Sequence, residues 1–453
     1  MTKQEKVDDS SNSVEHKEPS LDGQGQQYQG KVCILCIDGG GMRGIIPGRI
    51  LEYLERTLQE KSGNPDARIA EYFDVAAGTS VGGIIATMLF TAKEDGQPIF
   101  TAEETWRLVA EKGRNIFRIP RAHRAWSKLR GMTTPRYSCK SLESVLKHHL
   151  VRDNRPLTLR DTLKPILIPC YDVQNARPML FSRASALTDD KWNFNLWEIC
   201  RATSSVPSFF KPTQMMSVNG KTSIVGIDGG LVMNNPTAAA IAHVLHNKAE
   251  FPGVYRVGDM LILSLGTGRF DQKYKYSKVR RWGAFQWAKP IMKIVLDGIS
   301  EMVDHNVSMS FGEQSDQYLR VQVSGLPSGA LTAMDDGSKG NVNRLLKLAD
   351  EVMGKPCMEH LPFMDKNPIN ENSSNKNRLD CFADLLVQEH NARNLYQSSV
   401  VNLKPSPGHL PLFSEAQTSA SSSSPKKKSG WAYNLEPPFV KFMSTCNCKA
   451  KNL

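Results

Sequence analysis

Residues Val32-Cys33-Ile34-Leu35-Cys36-Ile37 form a continuous apolar, β-branched run that ends in Asp38-Gly39-Gly40-Gly41-Met42-Arg43-Gly44. A strand that is apolar at every position must be covered on both faces, the situation of a strand inside a parallel sheet. Beyond the glycines, Ile46, Ile50, Leu54 and Leu58 recur every four residues, which predicts a helix with a single apolar stripe. A second strand-turn-helix unit follows: Phe73-Asp74-Val75-Ala76-Ala77, then Gly78-Thr79-Ser80-Val81-Gly82-Gly83, then the apolar stretch from Ile84 to Phe90. Further strands are expected at 166–168, 179–181, 223–227, 260–263 and 319–323, and helices over 236–247, 283–310 and 378–396. Alternation of this kind implies an α/β fold with a mostly parallel central sheet covered on both faces.

A length of 453 residues accommodates about three domains, or one large α/β domain with tails. Residues 1–29 are polar and read as a disordered tail, residues 30–400 as the folded body, and residues 401–453 as a Ser/Lys-rich tail. The formal charge of +11 is concentrated. The window 111–140 holds nine Lys/Arg against one acid, and residues from Val401 onward hold seven Lys against two Glu; outside these two patches the charge sums to −2. No apolar run approaches the ~20 residues that span a bilayer, so any membrane contact is expected to be peripheral. Nine cysteines, an odd number, and a polar N-terminus without the apolar core of a secretion signal predict reduced thiols and a cytoplasmic, non-secreted protein.

Gly78-x-Ser80-x-Gly82 has the pattern of a nucleophile elbow in the strand-to-helix context that the pattern requires. Side chains at 78 and 82 would clash as the chain doubles back to present the Ser80 hydroxyl, and the helix that follows aims its amides at the nucleophile. Of the ten histidines (16, 123, 148, 149, 243, 246, 305, 360, 390 and 409), none follows an obvious strand in a Gly-rich loop. A base is better sought at Asp228, which ends the strand 223–227 and is followed by Gly229-Gly230. Burial there would raise its pKa toward that of a useful base. The glycines of 39–44 free backbone amides, those of Gly40 and Gly41 above all, for a developing oxyanion, while Arg43 either holds the loop or meets an anionic substrate. The same stretch satisfies G-x-G-x-x-G, but Glu60, at the spacing a dinucleotide site requires, closes a helix rather than a strand.

The three motifs in this order resemble the patatin-like phospholipases, the plant lipid acyl hydrolases. Supporting segments are similar too: 45–48, Cys200 to Ser204 leading to Phe209-Phe210-Lys211-Pro212, Asn234-Asn235-Pro236 and Ser264 to Gly268. The resemblance spans roughly 31–400, with its motif core at about 34–240 and a helical remainder to 400. It implies a three-layer α/β/α sandwich and a Ser-Asp dyad: Ser80 as nucleophile, Asp228 as base, Gly39, Gly40, Gly41, Arg43 and Gly44 as the oxyanion loop, and no metal or cofactor. Val81 stands where the family usually has Thr, but the donor there is the backbone N–H. The expected reaction is hydrolysis of fatty-acyl esters of phospholipids or galactolipids. The alternatives are a catalytically weak lipid-binding, storage or regulatory protein of the same fold, and a Ser-His-Asp esterase.

Membrane lipid and an anionic bilayer surface are the expected partners, with the window 112–140 and its interleaved Ile116, Phe117, Ile119, Trp126 and Leu129 resting on the lipid. No nucleic-acid motif accompanies the charge, so nucleic acid is not expected. Cys33-x-x-Cys36 places its thiols on opposite faces of a strand and reads as core. Cys446 and Cys448, in a Lys-bearing tail, are candidates for acylation.

Overall fold

The computed structural model describes residues 30–119, 134–269, 273–312, 315–324, 326, 334–356 and 373–402. Eight strands make the central sheet: β1 (Val32–Ile37), β2 (Val75–Gly78), β3 (Ile166–Asp172), β4 (Arg177–Ser182), β5 (Thr213–Met216), β6 (Ser223–Asp228), β7 (Met260–Leu265) and β8 (Tyr318–Val321). The spatial order is β8-β7-β1-β2-β3-β6-β5, with β4 also paired to β3. From β8 to β3 every pairing is parallel.

Beyond β3 the sheet changes sense. β4 and β6 both run antiparallel to β3, and β5 runs antiparallel to β6. Edge strand β5 has no continuous apolar run, and its sequence alone does not announce it.

The helices are α1 (Ile45–Ser62), α2 (Val81–Phe90), α3 (Ala102–Ile116), α4 (Lys140–Leu150), α5 (Leu196–Thr203), α6 (Thr237–His246), α7 (Ala284–Phe311), α8 (Lys339–Gly354) and α9 (Asn375–Asn402). They cover both faces of the sheet. Alternation along β1 shows the layering directly: Cys33, Leu35 and Ile37 enter the core under α1, α2 and α5, whereas Ile34 and Cys36 enter a second core under α6 and α7. The two cysteines of the C-x-x-C pattern therefore lie on opposite faces, both buried. The result is a three-layer α/β/α sandwich. The described residues up to Val401 make one compact unit, and among described residues no helix is long and apolar enough to cross a membrane.

Candidate active site

β2 ends at Gly78 and α2 begins at Val81, so the chain must reverse within two residues. A Cβ on Gly78 would sit 2.2 Å from the Gly82 carbonyl oxygen, and one on Gly82 would sit 2.3 Å from the Ile37 carbonyl oxygen. Both glycines are thus steric requirements of the turn. At its apex Ser80 adopts φ 54°, ψ −123°, a left-handed conformation that L-residues rarely take. Thr203 of α5 holds the apex: its hydroxyl accepts from the Ser80 amide at 3.0 Å and donates to the Pro169 carbonyl at 2.6 Å.

Asp228 meets the elbow by a route that differs from the one its sequence suggested. Asp228 ends its strand as the sequence suggests, but β6 is antiparallel to β3. It descends along β3 for three residue pairs and stops with Asp228 opposite Cys170. There the Ser80 Oγ donates to Asp228 Oδ2 at 2.8 Å, and the Gly230 amide donates to Oδ1 at 2.7 Å. Gly229 passes so close to β3 that a Cβ would lie 2.3 Å from the Pro169 oxygen. Both residues are buried, at 7% and 5% exposure, with no cation among the carboxylate's bonded partners. Burial pushes the Asp228 carboxyl up to about 7, overcoming the opposite pull of the Gly230 amide and the Ser80 hydroxyl. The Ser80 hydroxyl donates to this carboxylate and not to an imidazole. His16, His123, His360 and His409 lie outside the described residues; His243 and His246 sit on α6, His246 at the surface.

The glycine loop runs beside Ser80. A Cβ on Gly39 would point at the Ser80 Cβ from 3.4 Å, and at the Asn234 Oδ1 from 2.6 Å. The Gly39 amide is already engaged, donating to the Asn234 carbonyl at 3.1 Å. Gly40, Gly41 and Val81 are different, for their amides donate to no acceptor among the described residues. Gly41 has φ +57° and leaves room for the Met334 carbonyl, which accepts from the Met42 amide at 2.8 Å. Gly44 packs against Val81, whose Cγ2 would be 2.6 Å from an added Cβ. Of the two roles open to Arg43, the structure shows loop support: it is buried, and its Nη1 donates to the Gly268 carbonyl at 2.6 Å.

Asp38, Arg320 and Asp304 were not legible as a unit. Arg320 on β8 donates to Asp38 through Nη1 at 3.0 Å and Nη2 at 2.7 Å, and its Nε lies 2.9 Å from Asp304 Oδ1. Burial alone would depress the guanidinium, but the charges of Asp304 and Asp38 outweigh it and hold Arg320 above its already high ordinary value. This cluster anchors the start of the glycine loop, with the Thr267 hydroxyl donating to the Gly39 carbonyl. The contributions of Arg320, Thr203 and Thr267 depend on contacts far apart in the chain, and only the motif segments around Thr203 and Thr267 hinted at them.

Ser80 stands at the wall of a cavity of about 740 Å³, open mouth included. Its lining is apolar, with Ile84, Leu108, Val109, Ile116, Phe117, Leu142, Val145 and Phe210 prominent; Lys112 is the one charged residue among the described residues that line it. Gly41 shares the wall with Ser80. Of the basic window, 120–133 lie outside the described residues, and so do Cys446 and Cys448.

A family model described as patatin-like phospholipase matches residues 35–241. Patatin-like protein 6 of Arabidopsis thaliana is 47% identical over 386 residues, covering 84% of this chain and 76% of that protein. Patatin-like protein 7 of the same plant is 45% identical, covering 84% and 77% respectively. A third relative from Arabidopsis thaliana, named probable inactive patatin-like protein 9, is 41% identical across 79% of this chain and 86% of its own. With that identity over that length, the chain belongs to the patatin-like phospholipase family, and its family supports lipid hydrolysis as its chemistry.

Proposed function

We propose that the protein is a serine-dependent acyl hydrolase of membrane lipids working through Ser80 and Asp228. The observation that carries this reading is the 2.8 Å bond from the Ser80 hydroxyl to a buried carboxylate, made at the wall of an apolar cavity. In the ionised state Asp228 accepts the Ser80 proton as Oγ attacks the ester carbonyl carbon. The tetrahedral oxyanion is met by the amides of Gly40, Gly41 and Val81, which donate to no acceptor among the described residues and need no reorganisation. Collapse breaks the acyl C–O bond, and Asp228 returns the proton to the departing alcohol. Water, deprotonated by the same carboxylate, attacks the acyl carbon; the bond to Ser80 Oγ breaks, Asp228 returns its proton to Oγ, and the fatty acid leaves. The apolar cavity suits the acyl chain, and a carboxylate near 7 is matched to proton transfer at neutral pH.

The test is fatty-acid release from phospholipid and galactolipid vesicles by wild type and Ser80→Ala, with fluorophosphonate labelling in parallel. Labelling at Ser80 with release abolished in the variant is the expected result. Equal rates, or no labelling, would overturn the reading in favour of a lipid-binding protein with an idle site.

A further inference from the structure

Outside the two basic windows the charge sums to −2, and that small figure hides a third. Residues 273–293 hold seven Lys/Arg and no acid, interleaved with Tyr274, Tyr276, Trp282, Phe285 and Trp287. Lys273, Lys275, Lys278, Arg280 and Arg281 are all exposed, and none pairs with a carboxylate among the described residues. This is unlike the surface elsewhere, where Arg107 pairs with Glu103 and Lys61 with Asp384.

The helix that follows adds an apolar component. α7 buries Ser300, Asp304, Val307 and Phe311 on one side. Ile291, Ile294, Met302 and Met309 lie roughly opposite at ~100° per residue, and they are 51%, 49%, 47% and 60% exposed. Phe285 near its start is 80% exposed, and Tyr276 just before it 78%. Tyr274, Trp282 and Trp287 stack edge to face, with centroids 5.3 and 5.0 Å apart, and form an aromatic ridge beside the free cations. The inner side of α7 meanwhile supports the catalytic base loop: Ser300 Oγ accepts from Asn234 Nδ2 at 2.8 Å, and Leu296 Cδ2 would be 3.0 Å from a Cβ on Gly230.

We propose that residues 273–302 form the face by which the protein docks on an anionic lipid bilayer. Unpaired cations supply long-range attraction to acidic headgroups, aromatic rings suit the headgroup layer, and the Ile/Met stripe inserts at the acyl boundary. A phosphate backbone of nucleic acid would use the cations but leave the stripe in water. The choice of lipid as partner rests on the lipid-hydrolase reading, but docking is measured without turnover.

The experiment is co-sedimentation of the full chain with vesicles of phosphatidylcholine alone or mixed with phosphatidylglycerol, at low and high salt. Wild type binds the mixed vesicles preferentially and releases with salt. Lys275→Glu/Lys278→Glu/Arg281→Glu lowers that partition about a hundredfold, roughly fivefold or more for each cation lost. Phe285→Ser/Ile291→Ser/Ile294→Ser weakens binding to both vesicle types. Both variants keep wild-type turnover of a soluble short-chain ester, which reports an intact fold. Variants that sediment like wild type would overturn the assignment. So would a wild-type dimer that dissociates in the apolar variant while vesicle binding stands, which would make the face a protein interface. Docking through these residues without any fatty-acid release would retain the docking face and remove the hydrolase reading.

Discussion

Asp38 and Asp228 invite comparison because local sequence makes them twins. Each ends or directly follows a sheet strand, each is followed by Gly-Gly, and each is buried, at 1% and 5% exposure. Burial pushes both carboxyls up, but only Asp38 has a cation pulling against it. Asp38 receives two hydrogen bonds from the Arg320 guanidinium, whereas Asp228 receives one from a hydroxyl and one from an amide. A paired carboxylate holds its loop in place; an uncompensated one is left with a pKa of about 7 and a proton to exchange. The partner that separates them lies 282 residues away from Asp38 in the chain.

The largest effect expected from this contrast is on turnover. Under the proposed mechanism Asp228→Asn removes the base while leaving an acceptor for Ser80, and kcat/KM should fall by about 10³-fold. In wild type, kcat/KM should rise about tenfold per pH unit below 7 and level off above it, since only the ionised form accepts a proton. A profile that stays flat from pH 5 to 8 would show that Asp228 is not the titrating base.

Asp38→Asn should act on stability instead. It leaves the buried Arg320 with Asp304 as its one remaining carboxylate and the Ser264 hydroxyl as a neutral acceptor, at a cost of about 3 kcal/mol in urea unfolding. Activity of the folded fraction should fall far less than in Asp228→Asn. If the two variants lose activity equally, the division into a structural and a reactive aspartate fails.

The same contrast has a thermodynamic side. The Asp228 pKa is raised in the folded state, so between about pH 4 and 7 the native protein binds more protons than the unfolded chain. Stability from this residue is therefore full below the unfolded pKa and is lost as pH rises through 7. Asp228→Asn should accordingly stabilise the fold by about 2–4 kcal/mol at pH 8, with little gain at pH 4. Thermal melts at both pH values measure the difference.

The parallel half of the sheet was legible because its strands are short apolar runs that only burial on both faces explains, and β1, β2 and β7 all fall where those runs lie. Gly78, Ser80 and Gly82 were legible because the turn constrains them within five residues. The antiparallel half was not. Nothing in 223–228 fixes its direction against the parallel strands, and the β3 residues it pairs with, Cys170 to Asp172, lie far back in the chain. Asp228-Gly-Gly could not be told from Asp38-Gly-Gly by composition; only the distant arginine distinguishes them. The basic stretch 273–293 is hidden in the net charge for another reason, since acids elsewhere in the body cancel it in the total.

The smallest effect isolates the backbone at the elbow. Ser80 at φ 54° holds a conformation that costs a side-chain-bearing residue roughly 1–3 kcal/mol and costs glycine little. Ser80→Ala and Ser80→Gly both remove the nucleophile and the bond to Asp228, so both should be inactive and lose the same hydrogen bond. Alanine keeps the strain and glycine relieves it. Glycine also loosens the unfolded chain, which offsets part of the gain. Ser80→Gly should therefore be more stable than Ser80→Ala by about 1 kcal/mol in urea unfolding, at every pH, because no titrating group differs between them. Equal midpoints for the two variants would mean that the elbow is not strained, and that its geometry is set by the glycines at 78 and 82 and by Thr203 rather than imposed on Ser80.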